Sequence, residues 1–372
     1  MIIVTLIKKA FWSQFMRSST FFHENGFISL FIFFTGTMQT HRRNQGLDFM
    51  EFGWNGLLFE VPEEVRFTRY GGNAKKGSFM LEAENYLIEG KWEPIPKRRR
   101  PISVIAATLI DKMGEQYGKK KRRIRKQNVT ILEKNDARVF SHEALYMVVK
   151  AQSEERLYLW YCDESNRVVI VRFIFKTFDD SSKKIIKQVL ESFECHGKDS
   201  NVWSLLNFRF ETPMDFLLTD TKIAVGRARF ILSGKKVSSF TEKTSTLIVE
   251  YYSMANVVFQ DALNNLDEWF KKNYEKDLCK QLKKRQIKFV LAEPRKLLKH
   301  ELVMKESKSK SGLTWRETTR FTNATWYCPE SNRIYIVTFT HNLSRPIIFK
   351  RQIPESEYAD PVDNLLSSFK CH

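Results

Sequence analysis

Four of the five cysteines in this 372-residue chain fall at matched places, each set accompanied by histidines. Cys162 and Cys195 stand with His142 and His196, and Cys328 and Cys371 stand with His300 and His372; Cys279 has no counterpart. Two thiols and two imidazoles are the ligand inventory of a tetrahedral zinc centre. The same residues admit other chemistries. Cys162–Cys195 and Cys328–Cys371 disulfides would staple the end of a last helix to a sheet, in an exported chain or one from a hyperthermophile. Buried thiols behave as small hydrophobes, and a nucleophilic Cys–His pair is a fourth option. The spacing weighs against zinc, because there is no Cys-x-x-Cys or His-x-x-x-His clip and the ligands come from four separate places. The adjacent Cys195-His196 weighs against catalysis, because neighbouring side chains do not readily turn into one hydrogen bond. The sequence therefore assigns no cofactor and reads the cysteines as structural thiols or disulfide pairs, with the zinc sets as the lesser alternative.

Basic clusters are the second feature able to do chemistry. Lys97, Arg98, Arg99 and Arg100 lie between Pro96 and Pro101. Lys119, Lys120, Lys121, Arg122, Arg123, Arg125 and Lys126 follow a helical stripe, and Lys283, Lys284 and Arg285 follow its copy. With 61 Lys+Arg against 43 Asp+Glu the formal charge is +18. Charge this dense repels itself and is relieved by screening or an anionic partner. A phosphate backbone is such a partner, because each neutralised phosphate releases counterions; an acidic protein is another. Trp92, Tyr117 and Trp269 are placed to stack bases, though Tyr117 and Trp269 also fit an apolar helix stripe.

Motifs for other reactions are missing from the sequence. There is no Gly-x-Gly-x-x-Gly, phosphate-binding loop, His-Glu-x-x-His or Gly-x-Ser-x-Gly. His142-Glu143 and His300-Glu301 lack the second histidine of a zinc protease. Asn128-Val129-Thr130, Asn323-Ala324-Thr325 and Asn342-Leu343-Ser344 fit the glycosylation acceptor pattern, which matters only in an exported chain.

The elements that position these residues come in two copies. Trp160-Tyr161-Cys162-Asp163-Glu164-Ser165-Asn166-Arg167 recurs at Trp326–Arg333 with one difference, and Ser192-Phe193-Glu194-Cys195-His196 recurs at Ser368–His372 with one difference. Phe59-Glu60-Val61-Pro62 is echoed by Phe210-Glu211-Thr212-Pro213 in the same order. The expected organisation is a first repeat over 50–196, a polar linker over 197–201 and a second repeat over 202–372. The period is too long for a solenoid, so each copy is expected to own a core.

Within a copy the reading runs from short extended segments to a helix, then strands, then a closing helix. Ile102, Ile105, Leu109, Met113 and Tyr117 step by three or four, as do Val258, Ala262, Leu266, Trp269 and Phe270. Ala144–Lys150, Leu157–Cys162 and Val168–Lys176 are rich in β-branched and aromatic residues. A final stripe of Ile185, Ile186, Val189, Leu190 and Phe193 is capped at Asp180 or a following Ser. In copy two Asp360 caps and Pro361 opens the helix. Glu164 with Arg167, and Glu330 with Arg333, sit in a hairpin turn, either as a local ion pair or as a partner-contact loop.

Antiparallel strands with two helices per copy predict an α+β class. The order, with Pro62 and Pro213 near the openings and Ser192-Phe193 and Ser368-Phe369 at the closing helices, resembles the PsbP-like fold of photosystem extrinsic proteins and Ran-binding proteins of the Mog type. The resemblance implies two α/β/α sandwiches, each an antiparallel sheet flanked by helices, and a non-catalytic binding or assembly role.

Residues 1–49 look unlike the rest. The run Phe27–Phe34 has the length of a signal h-region, with Lys8, Lys9 and Arg17 upstream, but Glu24 precedes it and no small-x-small site follows. An over-extended start, with Met38 or Met50 as the true one, competes with an anchor, which alone would bring membrane association. The expectation is a cytoplasmic, non-enzymatic scaffold with a basic face for nucleic acid or another polyanion. The alternatives are an exported or membrane-associated assembly factor with one disulfide per repeat, and a hydrolase with an unrecognised site.

Overall fold

The computed structural model describes residues 47–119, 129–197, 199–238, 241–260, 265–282, 287–311, 315–346 and 362–372, so the atypical segment lies outside it up to residue 46. Leu47–His372 is one compact unit. Repeat one comprises β1 (Phe49–Trp54), β2 (Leu57–Pro62), β3 (Arg66–Gly72), β4 (Gly77–Glu82), β5 (Tyr86–Pro94), α1 (Ile102–Lys119), β6 (Thr130–Val139), β7 (His142–Lys150), β8 (Glu154–Cys162), β9 (Arg167–Phe175) and α2 (Asp180–Glu191). Repeat two opens with β10 (Ser200–Leu205), β11 (Phe208–Pro213), β12 (Leu217–Ala224), β13 (Arg227–Val237) and β14 (Glu242–Ser253). Short helices α3 (Ala255–Val258) and α4 (Leu266–Trp269) follow, the latter running through a π turn, Phe270–Tyr274, into α5 (Glu275–Gln281). Then come β15 (Val290–Leu291), β16 (Arg295–Leu297), β17 (His300–Ser311), β18 (Trp315–Cys328), β19 (Arg333–Pro346) and α6 (Val362–Ser368).

This overturns the expected α+β sandwich. Three antiparallel sheets dominate the chain, and the fold is essentially all-β. The sheet of repeat one has the order β3-β4-β5-β9-β8-β7-β6, and that of repeat two has the matching order β12-β13-β14-β19-β18-β17-β15. The third sheet, β11-β10-β1-β2, takes one hairpin from each copy. The sequence reading under-counted strands because many are half exposed and polar: β6 is solvent-facing along nearly its whole length. It also over-read a helix in copy two. Val258 is exposed and ends a four-residue helix, Ala262 lies outside the described residues, and Leu266–Gln281 is a separate element. The closing helix of repeat one is capped one residue earlier than expected, by Asp179 in a capping box with Ser182; Asp360 and Pro361 lie outside the described residues.

The 197–201 linker runs straight into β10, and the copies share a core rather than standing apart. Gly53 pairs with Ser204 across the repeats, where a Cβ would stand 2.7 Å from the Val202 carbonyl oxygen. Trp54 meets Trp203 edge-on at 5.7 Å, and Tyr70 Oη accepts a hydrogen bond from Ile223 N at 2.8 Å.

The face beneath the helices differs between copies. In repeat one α1 covers Leu145, Met147, Val149, Leu157, Leu159 and Ile170. Counting from the matched His and Cys residues, repeat two has Lys305 where Met147 stands, Asn323 for Leu157 and Thr325 for Leu159. These polar groups are buried but satisfied, as burial requires. Lys305 Nζ lies 2.7 Å from Asp267 and 3.8 Å from the Phe270 ring centroid; Asn323 Nδ2 donates to Thr338 Oγ1 at 2.8 Å.

Candidate metal centres

In each repeat three strand or helix ends converge. His142 opens β7 after a tight turn, Cys162 closes β8, and Cys195-His196 follow α2. His300 opens β17, Cys328 closes β18, and Cys371-His372 follow α6. Antiparallel pairing brings the start of β7 beside the end of β8, since Ala144 faces Trp160. The tail after the helix is fixed by an antiparallel bridge on the N-terminal hairpin, Glu194 to Leu58 in repeat one and Lys370 to Arg209 in repeat two. Sequence separation was therefore a poor guide to distance, and the absence of a local clip does not keep these ligands apart.

The four ligand atoms of each set all lie within 4.8 Å of one another. In repeat one Cys195 Sγ is 3.0 Å from His142 Nε2 and 3.5 Å from His196 Nδ1, and Cys162 Sγ is 3.3 Å from His196 Nδ1. In repeat two Cys371 Sγ is 3.3 Å from both His300 Nε2 and His372 Nδ1, and Cys328 Sγ is 3.4 Å from His372 Nδ1. A tetrahedral zinc with ordinary Zn–S and Zn–N lengths has S···N edges of about 3.6 Å. The observed separations are slightly inside that, and the same nitrogen is used at each matched histidine. Adjacent Cys and His side chains do reach one point, because the second histidine presents its nearer Nδ1.

All five cysteines are free and buried, so the Cys162–Cys195 and Cys328–Cys371 pairs stand as thiols, not disulfides. The Cys162 thiol is pulled down to about 5, chiefly by the hydrogen bond with Cys195, and the same contact, with burial, pushes Cys195 up. Burial and the contact with Cys328 push Cys371 up to about 12. Burial holds His300 below its usual range and so favours the neutral imidazole that binds metal. In repeat one the two directions favour a Cys162 thiolate beside a Cys195 thiol; a divalent cation would deprotonate both. Two thiolates and two neutral imidazoles then balance its charge. The donor set fits zinc and leaves no open position, the mark of a structural rather than a catalytic centre.

The hairpin charges lie beside the clusters. Glu164 Oε2 lies 3.6 Å from Cys162 Sγ, and Glu330 Oε2 lies 3.5 Å from Cys328 Sγ. Arg167 is buried and donates from Nη1 to the Asn55 carbonyl at 2.8 Å; Arg333 Nη1 donates to the Leu206 carbonyl at 2.6 Å. Each arginine thus ties the ligand-bearing hairpin to the turn of its N-terminal hairpin, and a buried Arg167 is removed from any contact surface. The Asn55-Gly56 turn needs positive φ at both residues, which this pair adopts readily.

The basic clusters are only partly described. Lys97, Arg98, Arg99 and Arg100 are exposed between β5 and α1. Arg99 Nη1 lies 2.9 Å from Asp163 and its guanidinium stacks 4.3 Å over Tyr161. Arg99, Arg100, Arg138, Tyr161, Asp163 and His142 line one cleft of about 810 Å³, so this segment and the first cluster are neighbours. The side chain of Lys119, and all of Lys120, Lys121, Arg122, Arg123, Arg125, Lys126, Lys283, Lys284 and Arg285, fall outside the described residues. Trp92 and Trp269 are buried in cores and not offered to bases; the Tyr117 side chain is not described. Sequence reasoning missed Ser192 and Ser368, whose hydroxyls bond to the outer strands of the central sheet; their signal was the repeated Ser-Phe-x-Cys-His itself.

Among the described residues no helix is long and apolar enough to cross a membrane. No family model matches the chain, and no curated protein matches it. Among solved structures it is similar to the apo structure of the immunity protein TplEi of T6SS from Pseudomonas aeruginosa, at 11% identity over 87% of this chain and 96% of that one. The TM-score is 0.27, a likeness too slight to carry an argument about fold or role.

Proposed function

We propose that this protein is a non-catalytic, zinc-dependent binding scaffold, with one structural Cys2His2 centre per repeat. The duplicated four-ligand cluster carries the reading: two sequences that have diverged beneath their helices have kept the same four ligands, the same nitrogens and matched S···N separations within 0.3 Å of one another. A closed, charge-balanced ligand set favours structure over catalysis. Reduced thiols fit a cytoplasmic setting, where disulfides are rare. Metal analysis of the full chain purified from zinc-supplemented growth tests it. Two zinc ions per chain are expected, one after Cys162→Ser, and two after Cys279→Ser, whose thiol lies outside both clusters. A metal-free chain that takes up no zinc on titration overturns the reading.

A second reading concerns the partner. The +18 charge and the exposed Lys97–Arg100 segment beside the first cluster favour a polyanion. If six or more phosphates are contacted, affinity for RNA or DNA falls by about 10³-fold or more between about 50 and 200 mM salt. Neutralising Lys119–Lys126 to Gln should flatten that slope. Retention that ignores salt would count against a phosphate partner and turn the search to proteins.

A further inference from the structure

The central sheet β11-β10-β1-β2 has two outer strands, β2 and β11, and both edges are closed by the tails that carry the metal ligands. Every outward N–H of the two outer strands is covered. Leu58 N donates to the Glu194 carbonyl at 2.8 Å, and Glu194 N returns a bond to the Leu58 carbonyl at 2.7 Å. Two residues along the same side of β2, Glu60 N donates to Ser192 Oγ at 2.9 Å. Two further on stands Pro62, which has no N–H to cover.

Repeat two does the same with different side chains. Arg209 N donates to the Lys370 carbonyl and Lys370 N to the Arg209 carbonyl, both at 2.8 Å. Glu211 N donates to Ser368 Oγ at 3.0 Å, and Pro213 closes the row. Between the serine and the bridging residue a phenylalanine enters the core: Phe193 stacks on Phe59 at 4.7 Å, and Phe369 stacks on Phe210 at 6.0 Å. Immediately after the bridge come Cys195-His196 and Cys371-His372. The repeated pentapeptide is thus an edge cap whose far end is a pair of metal ligands.

Each cap has a single bridging residue, which is little pairing for a strand that would otherwise be open. Its far end is held at the cluster. We infer that the two metal centres guard the edges of the central sheet. Loss of metal frees Glu194–His196 and Lys370–His372 and opens β2 and β11 to strand addition by a second copy of this chain. The inference rests on the zinc reading above. A second copy is the fitting occupant because these hairpins already pair with one another within the chain, β1 on β10, and an open β2 edge offers the same kind of surface to an open β11 edge.

The test compares the full chain loaded with zinc and after chelation, with bound metal, oligomeric state and amide exchange measured on the same samples. On chelation, exchange at Leu58, Glu60, Arg209 and Glu211 should rise by about 100-fold or more, as for segments that open locally, while β8 and β18 stay protected. That rise is read at a chain concentration low enough to keep the chelated protein monomeric; at higher concentration it should shift to dimers or longer assemblies, with these amides protected again, and return to its original state when zinc is restored. The double variant Glu60→Pro/Glu211→Pro, which leaves each edge a single outward donor, Leu58 N or Arg209 N, next to a proline ring that blocks an incoming strand, should lose metal on chelation yet not assemble. A chain that takes up no zinc sinks the metal reading, and the guard with it. A chain that takes up two ions and, once stripped, keeps these amides protected and its oligomeric state unchanged overturns the guard alone. Assembly that persists in the proline variant, or loss of protection throughout β8 and β18, overturns it too.

Discussion

Replacing Cys195 by Ser lowers the unfolding free energy of the zinc-loaded chain by about 5 kcal/mol or more, although the substitution changes little volume. The loss comes from binding energy that the folded state alone collects. A ligand that binds only the native chain stabilises it by RT ln(1 + [L]/Kd), and structural zinc sites in small peptides reach about 10–16 kcal/mol near neutral pH. The two repeats share a large apolar core that does not depend on metal, so the whole of that figure is not at stake, but the tail it holds is. Cys371→Ser should behave alike. Cys279→Ser should cost far less, because Cys279 is a buried thiol beside Ile287 and Phe321 with no part in either cluster. Urea unfolding with and without chelator separates metal from packing. Wild type and Cys195→Ser should approach one another once metal is removed. A difference that survives chelation in full would mean that Cys195 acts by packing alone.

The repeat was legible because it needed only the chain compared with itself, and the ligand inventory followed from it. The geometry did not follow. His142, Cys162 and Cys195-His196 meet only because β7 and β8 are antiparallel neighbours and because Glu194 bridges to Leu58, a pairing between residues far apart in sequence. Local spacing carries no record of that pairing, so the missing clips say nothing about whether the four side chains meet. The role of Ser192 was hidden for the same reason, since its hydrogen-bond donor, Glu60 N, lies 132 residues away.

Fold class failed on a different ground. The helical periodicities at Ile102–Met113 and Ile185–Leu190 are real, and both segments are helices. What escaped notice was the strand content between them. Half-exposed strands such as β6, and strands with buried but polar positions such as Lys305, Asn323 and Thr325, do not show the apolar alternation that marks a strand. The substitution of polar for apolar residues under the helices of repeat two also explains why its pattern resisted reading while repeat one's did not. Hairpin register and turn chemistry held both copies to one topology despite this divergence.

Phe193→Ala should be the most damaging change outside the ligands. Phe193 is fully buried, stacked on Phe59 at an interplanar angle of 8° and set edge-on to Trp160 at 5.1 Å. It therefore joins the tail, the central sheet and the large sheet of repeat one at a single point. Emptying such a site costs about 3–5 kcal/mol through lost transfer energy and the cavity left behind. Phe369→Ala should cost a similar amount, since Phe369 lies edge-on to Trp326 at 4.9 Å and stacks on Phe210. Phe193→Leu, which refills most of the volume, should recover a large part of the loss. Because the ring sits two residues before Cys195, Phe193→Ala should also weaken zinc uptake at the first centre while leaving the second intact. Unfolding and metal stoichiometry measured on the same variant check both. If stability falls while both zinc ions bind with undiminished affinity, the tail is held by its ligands and bridge without help from the plug.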